Sequence, residues 1–183
     1  MIVNALIYDE FLELDLFGAL AIFKNLDAKI SYLSLNGGEI SGASSATLLS
    51  QKAEANSGDV LLVPGGAGAR KVIDDERFIG LLKGLCKTHT YVLSVCTGGA
   101  LLARAGLLSG KSASTNHAAF EWVKSQDRSI KLSRARYSKD GKYYTSAGVS
   151  AGIDMTLKFV RDALGDECAR DMARKIEWQN ESF

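Results

Sequence analysis

Tyr91-Val92-Leu93-Ser94-Val95-Cys96-Thr97-Gly98-Gly99-Ala100-Leu101-Leu102 decides the fold. An apolar, β-branched run of strand type ends in a cysteine, two glycines follow, and a helical pattern begins. That order predicts a sharp strand-to-helix turn with the Cys96 thiol at its apex, the position the serine holds in a nucleophile elbow. A helix start presents unpaired N–H groups and a partial positive charge, so the expectation is a thiol biased toward thiolate, the nucleophilic form. A free cysteine is more often a small buried apolar filler. Gly98 and Gly99 favour the reactive reading, because glycine is a poor choice in a first helical turn unless a group approaches the backbone. Cys86 and Cys168 lie in helical patterns without such a setting and read as filler.

Working outward, the same alternation recurs. Ile2–Tyr8, Lys29–Leu35 and Asp59–Val63 read as strands, and Asp15–Leu26, Asp75–Cys86 and Gly98–Ala105 as helices. Glu39–Leu49 is turn-rich and suits a hairpin, and Ser112–Thr115 suits a short strand before an Ala118–Ser125 helix. Ile130–Tyr137 and Lys142–Ser146 flank a turn at Asp140-Gly141. Gly152–Leu164 and Asp166–Trp178 close the chain as helices. Strands alternating with helices imply an α/β fold, a doubly wound, mostly parallel sheet with helices on both faces. Ligands then bind beyond the carboxyl ends of the strands, where three loops fall: Asp9–Asp15, Pro64–Gly68 and Cys96–Gly99.

The 183 residues suit one domain, 1–183, and the apolar and charged fractions, 46% and 23%, are ordinary for a globular chain. A net charge of +1 without a basic cluster speaks against nucleic acid and anionic membrane as partners. Three cysteines and two histidines without ligand spacing predict neither a disulfide scaffold nor a metal site. The N-terminus reads as a strand rather than a signal peptide, and no run approaches a membrane span. The expectation is a cytoplasmic protein.

Asp15 is the second candidate. Aspartate at a helix start suits an N-cap. It equally suits an acid/base carboxyl beside a thiol, which a neighbouring thiolate would hold protonated.

These pieces, taken together and in order, resemble the ThiJ/PfpI family of the class I glutamine amidotransferase-like superfamily. They are Glu13-Leu14-Asp15-Leu16-Phe17-Gly18, Asp59-Val60-Leu61-Leu62-Val63-Pro64-Gly65-Gly66, Ser94-Val95-Cys96-Thr97-Gly98-Gly99, Ala105-Gly106-Leu107-Leu108-Ser109-Gly110-Lys111, Ser114-Thr115-Asn116-His117 and Thr145-Ser146-Ala147-Gly148-Val149-Ser150-Ala151-Gly152-Ile153-Asp154. The Leu-Asp-Leu segment and the Thr-Ser-Ala-Gly-Val segment resemble the isonitrile hydratase branch and its sister group, the ligand-binding halves of AraC-type regulators. No regulator-type helix-turn-helix is expected before Phe183. Thr97 stands where PfpI-type proteases carry histidine, and Asp15 where the deglycase branch carries glutamate.

The resemblance implies a cofactor-independent hydratase in which Cys96 attacks an isonitrile and Asp15 is its acid/base partner. It implies that Gly65, Gly66 and the N–H of Thr97 face the reacting group as an oxyanion hole. His117 is either a structural hydrogen-bonder or a base. The alternatives are an enzyme acting on α-oxo-aldehydes and a sensor whose thiol is oxidised. The resemblance also implies a homodimer, for which Phe17 and Ile22 would add apolar surface beyond the Leu16, Leu20 and Phe23 stripe.

Overall fold

The computed structural model describes residues 1–54 and 56–179. Ten strands and seven helices form in the order β1 (Ile2–Leu6), α1 (Glu13–Asn25), β2 (Lys29–Ser34), β3 (Gly38–Ser41), β4 (Thr47–Lys52), β5 (Gly58–Val63), α2 (Ala69–Val72), α3 (Glu76–Thr88), β6 (His89–Val95), α4 (Gly98–Arg104), β7 (Ser112–Ser114), α5 (Phe120–Gln126), β8 (Lys131–Ser133), β9 (Tyr137–Asp140), β10 (Tyr143–Ser146), α6 (Ala151–Leu164) and α7 (Asp166–Lys175). The main sheet runs β3-β4-β2-β1-β5-β6-β10-β9. The pairs β4–β2, β2–β1, β1–β5, β5–β6 and β6–β10 are parallel, and β3 and β9 add antiparallel edges.

Chain direction across the sheet reverses after β1, toward β2 on one side and toward β5 and β6 on the other. Right-handed crossovers then set α1 and α3 on opposite faces. Accordingly α1, α6 and α7 pack together, while α3 and α2 pack on α4, which also meets α5. With helices above and below, central strands need two apolar faces. Val60, Leu61, Leu62 and Val63 are all fully buried, each contributing about 1.5–3 kcal/mol relative to exposure. Helix α3 shows why its segment is helical: Phe78, Ile79, Leu82, Leu85 and Cys86 fall on one buried stripe, and the Asp75 carboxylate caps its start by accepting from the N–H groups of Arg77 and Phe78.

Two departures from the sequence expectations stand out. The segment 130–137 is not one strand. Its first part, β8, pairs in parallel with β7 in a separate two-stranded sheet, and β9 begins at Tyr137 as an edge of the main sheet. The break lets one run of chain serve two partners. Ile22 is fully buried, so it belongs to the core; the large apolar residues of α1 that reach solvent are Leu14 and Phe17, 45% and 37% exposed. Among the described residues no helix is long and apolar enough to cross a membrane.

Candidate active site

Cys96 follows the last residue of β6 and sits in the left-handed region, φ +59°. That conformation costs a non-glycine residue about 1 kcal/mol or more and holds only because its surroundings fix it. The Cys96 N–H donates to the carbonyls of Ser146 and Ala147 (3.1 and 3.3 Å), and its carbonyl accepts from the Thr115 hydroxyl (2.8 Å). Gly98 lets the turn close: a Cβ there would lie 2.5 Å from the Val63 carbonyl oxygen at the end of β5. The elbow read from the sequence is therefore present.

Asp15 is the third residue of α1, not its cap; Leu12 occupies the cap position and offers no side-chain bond. Its carboxylate is free to turn inward, where it is fully buried. Oδ2 accepts from the N–H of Gly65 (3.1 Å), Oδ1 from the N–H of Val149 (3.2 Å), and the carboxylate also accepts from the Cys96 thiol. Glycine is required at 65, since a Cβ there would lie 2.7 Å from Asp15 Oδ2 and 2.8 Å from the Cys96 Cβ. Burial raises the Asp15 pKa to about 6, with the three hydrogen bonds restraining a larger rise.

The thiol departs from expectation. Burial first, then the Asp15 charge, push Cys96 up to about 11. Bonds to its sulfur from the Thr97 N–H and the Asn116 side chain oppose the rise without overcoming it. Helix α4 has seven residues, and its N-terminal field is outweighed by desolvation and a neighbouring carboxylate. At neutral pH the proton of this pair therefore rests on sulfur and Asp15 is the base, the reverse of the protonated carboxyl expected beside a thiolate. Tyr8, buried beside both groups, donates its hydroxyl to the Pro64 carbonyl (2.7 Å), and burial with the Asp15 and Cys96 charges holds its pKa far above the ordinary value.

The remaining candidates divide. The N–H of Gly66 donates to the Thr97 hydroxyl (2.9 Å), which in turn donates to the Gly66 carbonyl (3.0 Å). Both glycine amides are thus engaged, Gly65 by Asp15 and Gly66 by Thr97, and the donors that reach the sulfur are the Thr97 N–H and Asn116. His117 is exposed and its Nε2 meets the Arg134 carbonyl oxygen at 3.1 Å. The structure does not bring it to Cys96; Asn116, one residue earlier, takes that place. Asn116 Oδ1 accepts from the Ala118 N–H (2.9 Å), which turns the amide's NH2 toward the sulfur. Within the quoted Ser-Thr-Asn-His segment nothing marks Asn116 over its titratable neighbour, since a neutral amide carries no ionisation or spacing signal.

Above the sulfur opens a cavity of about 220 Å³, lined by Gly66, Ala67, Arg70, Thr97 and Asn116 with the methyl groups of Ala118 and Ala119. It lies below the range of drug-sized pockets and suits a small substrate. A larger cleft of about 370 Å³ lies between the ends of β1 and β2, against Val72 and Phe78, and contains no cysteine or histidine; it is not where the nucleophile stands.

An elbow thiol bonded to a buried carboxylate at the carboxyl ends of a flavodoxin-like sheet defines a class, and the comparisons agree with it. A sequence profile of the DJ-1/PfpI family matches residues 1–162, and the chain belongs to that family. The isonitrile hydratase of Pseudomonas putida is 35% identical over 120 residues, 66% of this chain and 52% of that protein. The HTH-type transcriptional regulator GbdR of Pseudomonas aeruginosa is 29% identical over 118 residues, 64% of this chain and 31% of the regulator. The aligned stretches thus span about half or less of these curated relatives. A ThiJ/PfpI family protein from Pseudomonas syringae superposes with a TM-score of 0.89 at 24% identity, over 98% of this chain and 76% of that one, a likeness of fold.

Proposed function

We propose that this protein hydrates a small isonitrile to an N-substituted formamide, with Cys96 as nucleophile and Asp15 as the group that moves the proton. The observation that carries this reading is the convergence of the Cys96 side chain and the buried Asp15 carboxylate on Gly65, where a Cβ would lie 2.8 Å from the Cys96 Cβ and 2.7 Å from Asp15 Oδ2, and the similarity to the P. putida isonitrile hydratase supports it. Asp15, as carboxylate, takes the thiol proton while sulfur bonds to the terminal carbon of R–N≡C. Asp15 then delivers that proton to the same carbon, leaving a thioimidate, R–N=CH–S. Water adds through oxygen to this carbon; one of its protons goes to nitrogen and the other is returned to sulfur as the C–S bond breaks. The product is R–NH–CHO, and enzyme and proton count are restored. Asn116 and the Thr97 N–H stabilise the sulfur's negative charge whenever it is the leaving or attacking group.

A thiol raised to about 11 and 6% exposed weighs against the sensor reading, since oxidation follows thiolate character and access. The α-oxo-aldehyde reading uses the same nucleophile on a carbonyl carbon and has no separate observation in its favour. The proposal includes a homodimer formed across the exposed Leu14 and Phe17 of α1.

The test is turnover of cyclohexyl isocyanide and of methylglyoxal side by side, with Cys96→Ser as control. Catalytic formamide from the first, lost by at least 1,000-fold in the variant, is the expected result. Lactate alone, or undiminished turnover by Cys96→Ser, would overturn the reading.

A further inference from the structure

We propose that Arg70 makes this site selective for a substrate that carries a carboxylate. The proposal rests on Cys96 being the reactive group and goes on to name what kind of molecule reaches it.

Among the described residues lining the cavity over Cys96, Arg70 is the single charged one. Its guanidinium carbon lies 4.0 Å from the centre of the Trp122 ring. Stacking on an aromatic face fixes the plane of the group while leaving its edge N–H donors open. No carboxylate among the described residues forms an ion pair with it. The next residue shows the contrast: Lys71 is paired with Glu10 at 2.5 Å and does not line this cavity. A planar fork of donors that is oriented, charged and unneutralised matches the geometry of a carboxylate. The rest of the lining supports a small molecule with one charged end: Ala118 and Ala119 supply methyl groups, and Asn116 and Thr97 attend the sulfur. The competing negative charge, Asp15, lies beneath Gly65 and outside the lining, so the approach to Cys96 is dominated by the cation at its rim.

Two reagents of nearly equal size read this directly. Iodoacetate and iodoacetamide both alkylate a thiolate, forming the S–C bond and releasing iodide, and differ in charge. The ratio of their rate constants at Cys96, followed by mass spectrometry of the Cys96 peptide, cancels differences in thiol ionisation. The expectation is a ratio about tenfold or more above that for glutathione, lost in Arg70→Met, partly kept in Arg70→Lys and unchanged in Lys71→Met. A ratio indifferent to Arg70→Met, or equally reduced by Lys71→Met, would overturn the proposal.

The second measurement does not depend on the thiol. In Cys96→Ser, propionate titrated into the 15N-labelled protein is expected to give saturable amide shifts at Gly66 and Thr97 that propionamide does not give and that Arg70→Met removes. Equal shifts from both titrants, or none, would refute selectivity. If Cys96 reacts with neither reagent, the nucleophile reading fails, and the titration alone decides the role of Arg70.

Discussion

Val149 hands its amide N–H to the Asp15 carboxylate at 3.2 Å while holding a left-handed backbone, φ +55°. A β-branched residue there is a conformational outlier, and the strain falls beside Cys96, a second non-glycine residue with positive φ. Two backbone sites are thus held in costly conformations to aim one N–H and one thiol at the same carboxylate, a pattern typical of functional sites.

Activity is expected to follow the ionisation of Asp15. The working form has the carboxylate charged and the thiol protonated, which prevails between about 6 and about 11. The value of kcat/KM should fall tenfold per unit as pH drops below about 6 and stay level from there through pH 8. Asp15→Asn should lose roughly 100- to 10,000-fold and show no acid limb. A pH profile of unchanged shape in Asp15→Asn would assign the limb elsewhere.

Stability carries the opposite sign. The folded-state pKa of Asp15 is raised, so folding favours its protonated form; this contribution is full below the unfolded value near 4 and is lost as pH rises through about 6. Between pH 7.5 and pH 5 it should add about 1 kcal/mol. His89 works against it, because burial lowers its pKa and acidification then favours the unfolded chain. The difference between the wild type and Asp15→Asn cancels the shared histidine. Urea unfolding of both at the two pH values checks this; a difference that does not change with pH contradicts the raised carboxyl.

Gly65→Ala is expected to cost about 100-fold in kcat with the fold retained. The added methyl must move the Asp15 carboxylate, the Thr97 N–H or Cys96 itself, each within 2.8 Å of it, and displacements of this kind are costly in well-positioned sites. Near-normal turnover with an unchanged circular dichroism spectrum would show that the three groups need not be so close.

The dimer is tested on α1. Phe17→Asp should convert a particle of twice 19.7 kDa into one of 19.7 kDa in analytical ultracentrifugation. A wild-type protein that sediments at the single mass at micromolar concentration rules the dimer out.

Much of this architecture was legible in the sequence where local pattern and tertiary demand coincide. The apolar strands at Val60–Val63 and Tyr91–Val95, the stripe of α3 and the elbow at Cys96 all need the residues they have. Asp15 was legible as a position but not as a base, because its ionisation depends on burial and on donors from Gly65 and Val149. Asn116 and Arg70 carried no periodic or spacing signal; their roles appear when α2, β6 and the turn after β7 converge. The division of 130–137 between two sheets was equally hidden, since pairing partners 19 residues back and nine residues ahead compete for the same kind of sequence.

The bond between Asp15 and Val149 also bears on synthesis. Its partners are 134 residues apart and the Gly65 bond spans 50, so a growing chain exposes its elbow cysteine long before the strained turn at Val149 leaves the ribosome. Until α6 docks against α1, the thiol has no properly seated proton acceptor. Nascent and partly unfolded chains should therefore give no turnover, although their exposed thiol ionises more readily than the buried one; catalysis arrives as the last act of folding.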